Sequence, residues 1–209
     1  EWVAYQLTKE SLEMPNVPRT DWYEADPAVG SGSAHYKDYT KSGYTRGHLV
    51  PAGDMAFSEE AMETTFFMSN ISPQVRAFNG GVWRELEEQV REWTMDRGEL
   101  IVITGPVFNP EEPLRFGKNE VAVPDYFYKI IYDKKGKEMI AFMIPNEKSE
   151  ERLQEYVVSV DSIESRTGID FFGSILTEKD STLERNIKVE PWDFNELRFQ
   201  TRVKDWNKR

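Results

Sequence analysis

The chain has 209 residues, 39% of them hydrophobic and 13% aromatic, enough to bury about 70% of the unfolded chain's surface in one domain and to exclude wholesale disorder. It has no Cys, which excludes disulfides, thiolate metal sites and thiol nucleophiles, and no apolar run approaches the roughly 18 residues of a membrane span. Lys and Arg total 26 against 37 Asp and Glu, a net charge of −11, so the global field repels phosphate backbones and any nucleic-acid chemistry needs a local cationic pocket.

In chain order, residues 1 to 44 read as irregular, with Pro15, Pro18 and Pro27 and a flexible surface loop at Val29-Gly-Ser-Gly-Ser33. Ser58 caps a short helix through Thr65, with Glu59 and Glu60 in its first turn. Phe66-Phe67-Met68 reads as a short buried strand. Val82, Leu86, Val90 and Trp93 recur at helical spacing and predict a helix over Val82–Met95, opened by Asn79-Gly80-Gly81. Leu100 to Thr104 is a buried strand ended by Gly105-Pro106. Tyr126–Tyr132 and Met139–Ile144 flank Asp133-Lys-Lys-Gly136 as a β-hairpin. Ser149 caps a helix through Val157, a second short helix near Ile163 stops at Gly168, and the tail after Thr177 packs on the surface. Strands and helices mix without strict βαβ alternation, so the class is α+β, with residues 1–209 as one domain.

Two stretches carry chemistry. In Tyr44-Thr-Arg-Gly-His-Leu-Val-Pro-Ala-Gly-Asp54, His48 titrates in the range a general base needs, Arg46 can bind a phosphate oxygen and Gly47 lets the backbone come close. The chain has one other histidine, His35, which reads as a surface residue. In the helix, residues four apart advance about 400°, so Asn79, Trp83, Glu87 and Arg91 form a drifting stripe beside the apolar one. An amide oxygen suits a hard cation such as Mg²⁺, a carboxylate two turns on can hold its waters, and Arg91 can clamp a phosphate. Base, Lewis acid and cationic clamp are the parts of a metal-assisted phosphodiesterase. Local alternatives are an N-cap role for Asn79 and an i,i+4 ion pair for Glu87 and Arg91. Trp83 reads as core, Lys129 as facing phosphate or solvent, and Glu85, Glu88 and Glu92 as a solvated face.

Thr45-Arg-Gly-His48 with Leu49-Val-Pro-Ala52, then Ser69-Asn-Ile-Ser-Pro-Gln74, Phe78-Asn79, Trp83 and Leu86-Glu87 resemble the signature of the DNA/RNA non-specific endonucleases, the His-Me finger or ββα-metal nucleases. Trp2-Val-Ala-Tyr5 with Leu7-Thr8, Arg19 through Asp26-Pro27, Val123-Pro124 with Phe127 and Lys129, and Ile163 through Phe172 extend the likeness over most of the chain. The resemblance implies a mainly antiparallel α+β fold with a ββα-metal motif near residues 44–95. It implies His48 as base, Asn79 as direct ligand of Mg²⁺ (or of Mn²⁺ or another divalent ion) and Glu87 holding metal-bound waters. Arg46, Arg91 and Arg19 would bind phosphate, and Asn70 would position the scaffold. DNA and RNA are the implied substrates, cut to 5′-phosphate ends, with no membrane involved. A homodimer and an inhibitor protein are further partners compatible with it. Where the family most often has Asp before Arg-Gly-His, this chain has Thr45.

The start at Glu1 reads as that of a processed or truncated product, and a secreted or periplasmic location is expected. Two other classes are compatible with the acidic surface: a phosphodiesterase for small or non-nucleic diesters, and a catalytically weak nucleic-acid-binding module.

Overall fold

The computed structural model describes residues 1–173, 175–176 and 182–208. Its centre is an antiparallel sheet of five strands in the order β1-β4-β7-β8-β9: β1 Val3–Thr8, β4 Glu99–Val107, β7 Tyr126–Asp133, β8 Glu138–Pro145 and β9 Val157–Val158. The β7–β8 hairpin forms where the sequence places it. Its turn closes when the Gly136 N–H donates to Asp133 Oδ1 at 2.7 Å. In β7, Phe127 and Ile131 face one core with Trp83, Leu86 and Val90, while Tyr128 and Ile130 face another with Ile163 and Phe172. Both faces of this strand are buried, which is why apolar and aromatic residues stand on each of them.

Beside the sheet stands the ββα unit. Strands β2 (Tyr44–His48) and β3 (Ile71–Val75) pair antiparallel, with His48 opposite Ile71. A wide turn over Phe78–Trp83 follows and leads into α3, Arg84–Arg97, which ends at Gly98 with φ of 89°. Gly47 is needed for packing within the hairpin. A Cβ there would stand 2.0 Å from Cδ of the fully buried Gln74, so the close approach comes from a neighbouring side chain of the protein.

Several expected elements differ. Residues 1 to 44 are not uniformly irregular: β1 is the sheet's edge strand, and α1 (Lys9–Glu13) follows it with Thr8 as its N-cap. The helix after Ser58 is α2, Glu59–Thr64, as expected, with the Ser58 side chain accepting from Ala61 N. Phe66 to Met68 makes a single bridge, Phe67 to Glu24, before a turn of 3-10 helix; Phe66 and Met68 are buried by cluster packing and not by a ladder, and Phe67 is half-buried. Gly105-Pro106 does not end β4. Pairing with β1 stops at Thr104, so Pro106, with no N–H to give, lies past the last β1 rung while still opposite Phe127 of β7.

Ser149 accepts from Glu151 N but starts no α-helix; the segment is a 3-10 turn, Leu153–Tyr156, leading into β9. The helix near Ile163 is α4, Val160–Thr167, closed by Gly168 at φ of 71°. Short strands β5 (Arg115–Phe116) and β6 (Val121–Ala122) pair with each other.

The expected surface tail begins with 177–181, outside the described residues. Beyond α5 (Thr182–Arg185), its described part lies over the body of the protein as expected, but it sends single side chains into the core. Trp192 is 2% exposed, its ring centroid 4.9 Å from that of Trp93 in an edge-to-face contact. In α6, Glu196–Lys204, the fully buried Arg202 donates to the Glu85 carboxylate and to the Ser149 and Glu151 carbonyls. Arg198 pairs with Glu88 and Glu92. Of the acidic face of α3, expected in solvent, Glu85 is therefore buried, while Glu88 and Glu92 stay partly exposed beside Arg198.

Candidate active site

His48 ends β2, and the chain beyond it is fastened by Asn70. The backbone carbonyl of Asn70 accepts from Leu49 N at 2.9 Å, its Oδ1 accepts from Val50 N at 2.9 Å, and its Nδ2 donates to the Val50 and Thr65 carbonyls. His48 is 9% exposed, its ring centroid 4.8 Å from that of Phe66 in an edge-to-face contact and 6.1 Å from that of Tyr23. Its Nε2 is buried with no hydrogen-bond partner. Burial pushes the pKa down to about 4, the Arg19 cation adds to the depression, and Asp21 opposes it. The ring is neutral at pH 7, the protonation state a base requires.

This depression has a cost in acid. Between pH 6.5 and about 4 the unfolded chain binds a proton at His48 that the folded chain refuses, so stability falls as pH drops through that window. The wild type is expected to lose about 3 kcal/mol more than His48→Gln between pH 7 and pH 4 in urea unfolding. Equal losses in the two proteins would contradict a neutral buried imidazole.

Beside His48 opens a cleft of about 540 Å³ lined by Arg19, Arg46, Arg76 and Asn79, with Thr45 and four tyrosines completing the walls. Three guanidinium groups thus converge on one concavity in a chain of net charge −11. Arg46 lies over the Tyr23 ring at 4.3 Å, and Arg19 lies over Phe66 at 5.1 Å with a loose, exposed ion pair to Asp21. Arg76 is an addition to the residues singled out in the sequence. The signal was its place: one residue past β3 and three before Asn79, the path by which the hairpin enters the helix.

The Asn79 Nδ2 donates to Thr45 Oγ1 at 2.9 Å, and that hydroxyl donates to the Gln74 carbonyl at 2.9 Å. The N-cap position of the helical turn is Ala77, with no side-chain cap, so the N-cap alternative for Asn79 does not hold. Anchoring the amide nitrogen leaves the amide oxygen as the lone-pair end, the hard oxygen donor a divalent ion takes.

Glu87 and Arg91 do not line this cleft; they belong to a buried charged cluster alongside it. Arg91 Nη1 donates to Asp54 Oδ1 at 2.7 Å, and Tyr5 donates to Asp54 Oδ2 at 2.7 Å, tying the segment after His48 to α3 and β1. Lys129 also lies there, 1% exposed, with its Nζ 4.8 Å from the Trp83 ring centroid. It faces neither open cleft nor solvent, because its place between Phe127 and Ile131 in β7 puts it on the core face. Burial pushes the Glu87 carboxyl up and the Lys129 ammonium down, each partly restrained by the opposite charge of the other. His35 is part of the turn before β2: its Nδ1 accepts from Lys37 N at 3.1 Å.

A family model described as DNA/RNA non-specific endonuclease matches residues 1–178. The chain is 36% identical over 199 residues to mitochondrial nuclease EXOG of Danio rerio, covering 87% of this chain and 58% of that protein. It is 34% identical over 195 residues to mitochondrial endonuclease G of Bos taurus, covering 86% and 65%. The chain therefore spans about three fifths of the length of these relatives. A solved structure of an EndoG/EndoGI complex, described as showing the mechanism of EndoG inhibition, aligns with a TM-score of 0.77 at 31% identity, covering 84% of this chain and 79% of that one. Both curated relatives are mitochondrial nucleases, which overturns the expectation of a secreted or periplasmic protein. Over this span of sequence and fold, the chain belongs to the DNA/RNA non-specific endonuclease family.

Proposed function

We propose that residues 1–209 form one metal-dependent endonuclease domain that hydrolyses phosphodiester bonds of DNA and RNA. The observation that carries this reading is a neutral, buried imidazole with a free Nε2 beside a cleft where Arg19, Arg46, Arg76 and Asn79 converge. Arg19, Arg46 and Arg76 hold the non-bridging oxygens of a phosphodiester and offset the charge that grows as the phosphorus becomes pentavalent. His48 takes the proton of the attacking water, and Asn70 keeps its backbone in place.

The donor set fits a hard divalent cation, Mg²⁺ above all and Mn²⁺ as an alternative. Asn79 would hold it through the amide oxygen that the Thr45 contact orients, and Glu87 would hold its waters. Bound there, the ion supplies Lewis-acid stabilisation of the phosphoryl and leaving oxygens. Thr45 performs by hydroxyl hydrogen bond the anchoring of Asn79, so the missing carboxylate at that position does not leave the amide loose. The products are 5′-phosphate and 3′-hydroxyl ends. Arg91, held by Asp54, serves this reading by fixing α3 against the segment after His48. The inhibitor complex formed by the EndoG neighbour supports an inhibitor protein as a partner here too.

The test is cleavage of supercoiled plasmid and of RNA with Mg²⁺ and with EDTA, using the wild type and Asn79→Ala. Metal-dependent cutting of both substrates is expected, with the metal concentration for half-maximal rate raised at least about tenfold in Asn79→Ala. Intact plasmid together with hydrolysis of a small chromogenic diester would reassign the site to small phosphodiesters. Binding without any cleavage would make the chain a binding module.

A further inference from the structure

Tyr23, Tyr36 and Arg46 line the cleft and also a second depression, of about 570 Å³, that continues from it. Its wall includes Trp22, which at 75% is the most exposed large apolar side chain among the described residues, and Tyr36, which is 40% exposed. An indole left in water forfeits one of the largest burial gains a side chain offers. Here that exposed ring lines the same depression as a second aromatic, Tyr36, and the depression shares Arg46 with the phosphate cleft.

The platform is preorganised. Tyr36 begins a 3-10 turn, Tyr36–Tyr39, braced on two sides. Asp38 accepts from His35 N at 2.8 Å, from Lys118 N at 2.9 Å and from Asn119 Nδ2 at 2.7 Å, tying the turn to the β5–β6 hairpin. The His35 ring lies 4.4 Å from the Tyr36 ring at an interplanar angle of 32°. On the side shared with the cleft, the Arg46 guanidinium covers Tyr23. The depression's own lining adds Asp21 and Glu24, which repel a second phosphate but not an uncharged planar group, and which can accept from exocyclic amines.

Resting on the phosphodiesterase reading above, we propose that this depression is a nucleobase subsite. It takes the unpaired base of the nucleotide adjoining the phosphate held at Arg46, stacked against Trp22 and Tyr36. Every base has a π face, so the subsite is tolerant of sequence, and it favours strands whose bases are unpaired.

The test is fluorescence anisotropy in EDTA at fixed salt, with a short single-stranded oligodeoxynucleotide and an abasic chain of the same length. The wild type is expected to bind the base-bearing strand about tenfold more tightly than the abasic one. Trp22→Ala removes most of that difference without changing abasic binding, while Trp22→Phe keeps it. The Trp22 side chain is exposed, and circular dichroism of the variants checks that the fold is unaltered. Equal wild-type affinity for the two strands overturns the subsite, as does a loss in Trp22→Ala that is the same on both. Plasmid cleavage that persists beside such a result leaves the nuclease reading intact and sinks only the subsite. Absence of both binding and cleavage sinks both.

Discussion

Replacing His48 with Ala lowers kcat for plasmid and RNA cleavage by about 10²- to 10⁴-fold, the contribution a positioned proton acceptor makes, while affinity for an oligonucleotide in EDTA stays near wild type. The expectation follows from how the ring is held. A histidine kept for packing would have its nitrogens satisfied or exposed; here Nε2 is buried without a partner, which is costly unless something arrives to use it. Burial and the nearby Arg19 keep the ring unprotonated at pH 7, so no proton must first be removed. In the proposed reading, binding rests on Arg19, Arg46 and Arg76, none of which the substitution replaces. A rate reduced less than about tenfold would place proton transfer on another group, and a matching loss of binding would give His48 a role in holding the phosphate instead.

The parts of this site that were legible in the sequence are those set by local spacing. Thr45 to His48 lies on one short strand, and the helix after Asn79 has an apolar period strong enough to fix its direction. The β7–β8 hairpin was legible from its alternation and its Asp-Lys-Lys-Gly turn. The same alternation places Lys129 on the face of Phe127 and Ile131, although a charged residue mid-strand reads at first as solvent-facing. The illegible parts depend on segments far apart in the chain. Asp54 and Arg91 are separated by 37 residues and Glu85 and Arg202 by 117, and no local pattern announces either pair. The prolines between residues 15 and 27 masked the alternation of Val3, Tyr5 and Leu7, and so hid the edge strand β1. Trp22 and Tyr36 fall in that same irregular stretch, where only the fold brings them beside Arg46.

The Glu85–Arg202 pair gives the largest expected effect on stability. Arg202→Met should lower the unfolding free energy by about 3–5 kcal/mol, read as a shift in the guanidinium or urea midpoint and a fall in Tm of roughly 10 °C or more. The guanidinium is fully buried and donates to the Glu85 carboxylate and to two backbone carbonyls, of Ser149 and Glu151. Removing it strands a carboxylate that is 3% exposed together with the Glu151 carbonyl, while the Ser149 carbonyl keeps its bond from Asn207 Nδ2 at 2.7 Å. Burial nevertheless pushes the Glu85 carboxyl up even with Arg202 facing it, so desolvation outweighs the attraction at that carboxylate. A buried pair in that state contributes less as net stability than as registration of α6 against α3. The double variant Glu85→Leu with Arg202→Met is accordingly expected to recover at least half of the loss, since it removes the stranded charge and leaves apolar volume in its place. If the double variant is as unstable as Arg202→Met alone, the damage comes from the lost backbone contacts, above all the unpaired Glu151 carbonyl, and the ion pair is not what holds the tail to the helix.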